Sequence, residues 1–115
     1  MSYMLLIVEP LDQRRSRTPE QGRGAYQRML DYAEGLKAKG LLLATNSLRS
    51  AAVRVHRRDG RPSVIDGPFT ESKEFVGGFF LLDCRTREQA LECAAECPAA
   101  EWAAIEVREV GPCYD

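Results

Sequence analysis

FVGGFFLLDC, Phe75 to Cys84, is apolar at nearly every consecutive position. A strand with one wet face alternates; an unbroken apolar run marks a strand covered on both faces. Gly77-Gly78 inside it mark either a bulge, a close approach of backbone or ligand that leaves room for a pocket, or a packing notch against a helix. Working outward, SYMLLIVE (Ser2 to Glu9) has the same unbroken character, and LLLATNSL (Leu41 to Leu48) begins that way. WAAIEVREV (Trp102 to Val110) instead alternates, with Ile105 and Val107 on one side and Glu106 and Arg108 on the other. Ala52 to Asp66 reads as a hairpin turning at Asp59-Gly60, because both central positions of a two-residue loop need positive φ. That turn sets Arg58 opposite Arg61, His56 opposite Ser63, Val55 opposite Val64 and Val53 opposite Asp66.

Two helices separate the strands. Thr18, Pro19 and Gln21 are a helix start with a capping box, followed by Tyr26, Met29, Leu30, Ala33 and Leu36 at helical spacing and a stop at Gly40. PLDQRRSR, just before, reads as a polar, mobile connection. Thr86 and Gln89 form a second capping box, and Pro98 ends that helix. The order β-α-β-hairpin-β-α-β predicts one α+β domain over residues 1–115. It is a ferredoxin-like βαββαβ unit with an extra hairpin, its antiparallel sheet carrying two helices on one face. Two helices cover one face only, while Phe75 to Cys84 asks for cover on both, which predicts a homodimer.

The bulk composition narrows the function. The 115 residues are 44% hydrophobic and 29% charged with a formal net charge of −1, an ordinary globular balance. Arginines cluster at Arg14, Arg15 and Arg17 and at Arg54, Arg57, Arg58 and Arg61, but no aromatic residues interleave them as a base-stacking platform requires, so nucleic acid is not the expected partner. MLLIV is too short for a signal core or a membrane span, which predicts a cytoplasmic chain with no membrane partner. The four cysteines are then expected as free thiols. Cys93 and Cys97 share a helix face, yet no C-x-x-C is present and the lone histidine lies elsewhere, so no metal is expected and no cofactor loop is present.

The segment DGPFTESKEFVGG holds the candidate chemistry. The hairpin register puts Asp66 on the face of Val53, Val55 and Val64, and His56 on the other beside Arg54 and Arg58, which disfavours a His-Asp arrangement within one subunit. Asp66 is an acid ending a strand on an apolar face. It either serves as a general acid or base, or accepts backbone N–H groups and holds the turn. Glu71, Lys73 and Glu74 follow it, read as a solvated loop. Tyr26 and Trp102 stand at element starts, as pocket walls or as core.

YMLLIVEP, VIDGPFTESKEFVGGFFLLDC and AAECPAAEWAAIEVREV together resemble the YCII-related family in its DGPF-domain branch, from Tyr3 to Val110. The resemblance implies a ferredoxin-like dimeric α/β barrel. It implies a pocket lined by a His-Asp pair, whose aspartate matches Asp66; on the first helix this chain has Tyr26 or Met29 near the place of the histidine. It also implies a link to extracytoplasmic-function sigma factors. Two functions are therefore expected in parallel. One is a metal-free small-molecule enzyme working by proton transfer or elimination, with Asp66 catalytic, Lys73 or a neighbouring arginine positioning an anionic or hydroxylated substrate, and Tyr26, Gly77 and Gly78 as walls between sheet and first helix. The other is a non-catalytic ligand-binding or accessory protein tied to sigma-factor regulation.

Overall fold

The computed structural model describes residues 1–67 and 72–115. The elements are β1 (Ser2–Pro10), α1 (Gln13–Ser16), α2 (Pro19–Ala38), β2 (Leu42–Ser47), β3 (Val53–Arg58), β4 (Arg61–Asp66), β5 (Glu74–Asp83), α3 (Arg87–Glu96), a 3₁₀ turn at Pro98–Glu101, and β6 (Ala104–Glu109). The main sheet runs β2-β5-β1-β6, every pair antiparallel, and β3 and β4 form a separate two-stranded sheet. With the hairpin set aside, the strands stand in the order second, third, first, fourth. This is the ferredoxin-like α+β fold.

β1 shows why the sheet has one dry face. Tyr3, Leu5, Ile7 and Glu9 are buried while Ser2, Met4, Leu6 and Val8 are half-buried, the two-residue period of a strand. Phe80 and Leu82 of β5 join the dry face, and Leu36 of α2 with Ala90, Cys93 and Ala94 of α3 close it. Both helices lie on this side. The first starts as its sequence dictates: the Thr18 hydroxyl accepts from the Gln21 amide while the Gln21 side chain accepts from the Thr18 amide. At α3 the box is half made. Thr86 accepts from Gln89, but the Gln89 side chain reaches back to the Arg85 amide instead.

Two expectations are corrected, and the hairpin adds a finding of its own. PLDQRRSR is not a plain connection, because Gln13–Ser16 is a helical turn. In α2, Tyr26 and Leu30 lie on the exposed side, and Tyr32 packs against the core in their stead, edge-on to Phe80 at 5.2 Å between ring centroids. The hairpin, although its register is the one the turn dictates, with Asp59 at φ 50° and Gly60 at φ 75°, leaves all of β3 exposed. No helix among the described residues is long and apolar enough to cross a membrane.

Candidate active site

The bulge in β5 creates the site. Ile7 pairs with Gly78 but Val8 pairs with Val76, so Gly77 is the extra residue. A Cβ built on Gly77 would lie 1.5 Å from Oε2 of Glu9; only a glycine leaves space for that carboxylate. A Cβ on Gly78 would come within 3.1 Å of the Asn46 carbonyl oxygen, so this glycine lets β2 draw close. The notch thus admits one acid and one strand.

Glu9 is 4% exposed. Burying a carboxylate is costly unless it is paired and hydrogen-bonded. Its partner is Arg14 from α1, whose Nη2 donates to Glu9 Oε2 at 2.6 Å and to the Gly77 carbonyl at 3.1 Å, and whose Nη1 donates to the Leu48 carbonyl at 2.6 Å. The guanidinium also lies 4.9 Å from the centre of the Phe75 ring. One arginine therefore fastens the ends of β1, β2 and β5 to α1.

Above this pair opens a cavity of about 290 Å³ between the sheet and α2. Ile7, Phe80 and Met29 supply apolar wall, and Arg17, Tyr26 and Trp102 stand around it. Arg17 and Arg28 lie over the Trp102 ring at 5.3 and 5.4 Å, and Arg28 is ion-paired with Glu101. Arg17 has no acidic partner among the described residues. Among those residues no group of three or more His, Cys, Asp or Glu converges as a metal site.

The residues singled out in the sequence divide. Tyr26, Gly77 and Gly78 line the cavity together. Asp66 does not: it is exposed at the end of β4, among the residues of the hairpin, and does not line this cavity. The inward position expected of it is not what a single chain shows. Lys73 is exposed, and its backbone carbonyl accepts from the Leu11 amide at 2.9 Å. Glu71 lies outside the described residues. Glu9 and Arg14 were missed. The signal for Glu9 was present, since it continues the inward series Tyr3, Leu5, Ile7 by one further step of two.

The model of the YCII-related domain matches residues 1–113. An uncharacterised protein of Rhizobium meliloti (strain 1021), R00369, is 40% identical over 47 residues, which are 41% of this chain and 38% of that protein's length. Among solved structures, the 5-chloro-2-hydroxyhydroquinone dehydrochlorinase of Burkholderia phenoliruptrix AC1100, in complex with 2,5-dihydroxybenzoquinone, is similar in fold. Its TM-score is 0.54 at 16% identity, over 96% of this chain and 94% of that one.

Proposed function

This chain belongs to the YCII-related family, and on that premise we propose that it is a small-molecule enzyme whose acid–base group is Glu9. One observation carries the reading: a carboxylate that is 4% exposed lines an open, largely apolar cavity instead of being sealed in the core. Burial of an acid beside a cavity that admits a ring-sized compound is the arrangement general acid–base chemistry requires. Glu9 takes a proton from a substrate carbon or hydroxyl. In an elimination, the electron pair freed from the C–H bond forms the new double bond as a leaving group on the neighbouring atom departs with its own pair. Net loss of hydrogen chloride from a chlorinated hydroxyquinol, the reaction in the name of the similarly folded dehydrochlorinase, is a related reaction; that support is by analogy of fold. Arg14 is a positioning residue, holding the carboxylate in place.

The role expected for Asp66 changes in this reading. It shares the exposed face of the hairpin, so it serves a cavity only where a second copy brings that face to one.

The test is exchange of ring C–H for deuterium in hydroxylated benzoquinones, 2,5-dihydroxybenzoquinone among them, followed by NMR. Wild type is expected to accelerate it, and Glu9→Gln to lose about 10²–10⁴-fold of that acceleration while keeping affinity. Full exchange by Glu9→Gln would remove Glu9 from the role. Binding without exchange by wild type would favour the non-catalytic ligand-binding protein instead, with or without a sigma-factor link.

A further inference from the structure

The charges lining the cavity do not cancel. Glu9 and Arg14 neutralise one another at 2.6 Å. Arg17 remains, half-buried, with no carboxylate partner among the described residues and with its guanidinium over the Trp102 ring. The other arginine on that ring, Arg28, is already occupied by Glu101. Arg17 therefore brings to the wall of the cavity a fork of N–H donors that lies against an aromatic face and meets no carboxylate among the described residues.

We infer that Arg17 is a specificity-determining residue that selects a planar ring compound carrying a carboxylate. This rests on the cavity being the ligand site. A guanidinium lying against an indole ring is held in one plane, and a planar fork matches the two oxygens of a carboxylate in paired, parallel hydrogen bonds. Because one positive charge is in excess, a monoanion neutralises the cavity, whereas a neutral ring leaves Arg17 unpaired and a dianion places its second charge toward the carboxylate of Glu9. The apolar wall of Ile7, Met29 and Phe80 suits the ring itself. Glu9, an acceptor, suits a hydroxyl or acidic C–H on it. The class is thus a hydroxylated cyclic monocarboxylate.

Calorimetry with 3-hydroxybenzoate, 3-hydroxybenzamide and 2,5-dihydroxybenzoquinone separates the possibilities, and Trp102, the single tryptophan, adds a fluorescence signal from the cavity wall. Wild type is expected to bind the carboxylate about tenfold or more tighter than the amide, a preference that shrinks as salt is raised. Arg17→Ala is expected to abolish the preference, and Arg17→Lys to restore part of it. Equal binding of carboxylate and amide by wild type would overturn the assignment, as would a preference surviving in Arg17→Ala. Tighter binding of the quinone than of the carboxylate would also overturn it, leaving the cavity reading intact. If none of the three ligands binds, the cavity reading fails as well. Should Arg17→Ala not fold, Arg17→Gln and the salt dependence of wild type decide the same point.

Discussion

Gly77 is defined by what occupies its side-chain position. The Glu9 carboxylate sits 1.5 Å from where a Cβ would be, and an Arg14 nitrogen 2.7 Å from it. Both are ends of flexible side chains that line the cavity, so an added methyl group can displace them into it. Gly77→Ala is therefore expected to fold and to lose the acid–base activity, because the carboxylate must swing away from its partner. Arg14→Ala is expected to act differently. It leaves Glu9 in place but buried without its partner, a change that costs about 3–5 kcal/mol for a fully enclosed pair. With the Arg14 side chain 34% exposed, roughly 2–3 kcal/mol is the expectation after solvent screening. Urea unfolding of the two variants checks both. Equal and severe destabilisation by Gly77→Ala would show that the carboxylate cannot move, and an unaltered Arg14→Ala would show that the pair contributes nothing.

Among the elements, the ones set by local chemistry were legible. The capping box at Thr18 and the Asp59-Gly60 turn each depend on residues within four positions of one another, and the structure shows both. What was not legible depends on partners distant in sequence. Arg14 reads as one member of a basic connection, and only the approach of β2 and β5 gives it Leu48 and Gly77 to hold. Spacing alone does not say which edge of a helical stripe faces the sheet, so it does not single out Tyr32 over Tyr26. The α3 region shows a consequence of long-range packing. Cys84, Cys93 and Cys97 are buried there, and burial raises all three thiols above 9.0; Tyr32, whose hydroxyl donates to the Cys93 carbonyl at 2.5 Å, is raised above 10.0 for the same reason. The sign follows directly. The folded chain keeps these protons where the unfolded chain releases them, so stability holds below pH 9 and falls as pH rises beyond it. The urea midpoint is expected to be flat from about pH 7 to about pH 8.5 and to drop by about pH 10.5. In the native state Cys113, the exposed thiol, should react with a disulfide reagent well before the other three. Rapid reaction of all four, or a midpoint unmoved in alkali, would contradict the burial of this cluster.

At the scale of the molecule, the hairpin is the feature a lone chain does not explain. The radius of gyration is 16.0 Å against roughly 13 Å for a compact chain of this length, and the extents of 47 × 41 × 18 Å describe a slab. Val53, Val55 and Val64 share one face of β3–β4 and are 56%, 64% and 63% exposed, with Asp66 beside them. The sheet face away from the helices carries Met4, Leu6, Val8, Phe79 and Leu81, half-buried, with no helix among the described residues upon it. Two apolar surfaces in one small chain are more than solvent contact favours, and pairing of two copies removes both from water. A homodimer is the expectation, with twice the 12.9 kDa mass of the chain in sedimentation or light scattering. Val55→Asp combined with Val64→Asp should shift it to monomer, since two acids on that face would each have to be buried opposite an apolar surface. The cavity stands on the other sheet, so its geometry gives the monomeric variant a direct readout. Ring-compound affinity unchanged in the monomer would mean that each chain holds a complete site, and that Asp66 has no part in binding. Affinity or exchange lost together with dimerisation, and lost likewise in a dimeric Asp66→Asn variant, would mean that the hairpin of one copy completes the site of the other. A wild-type chain that remains monomeric at micromolar concentration would sink the dimer and leave the valine face without an explanation of this kind.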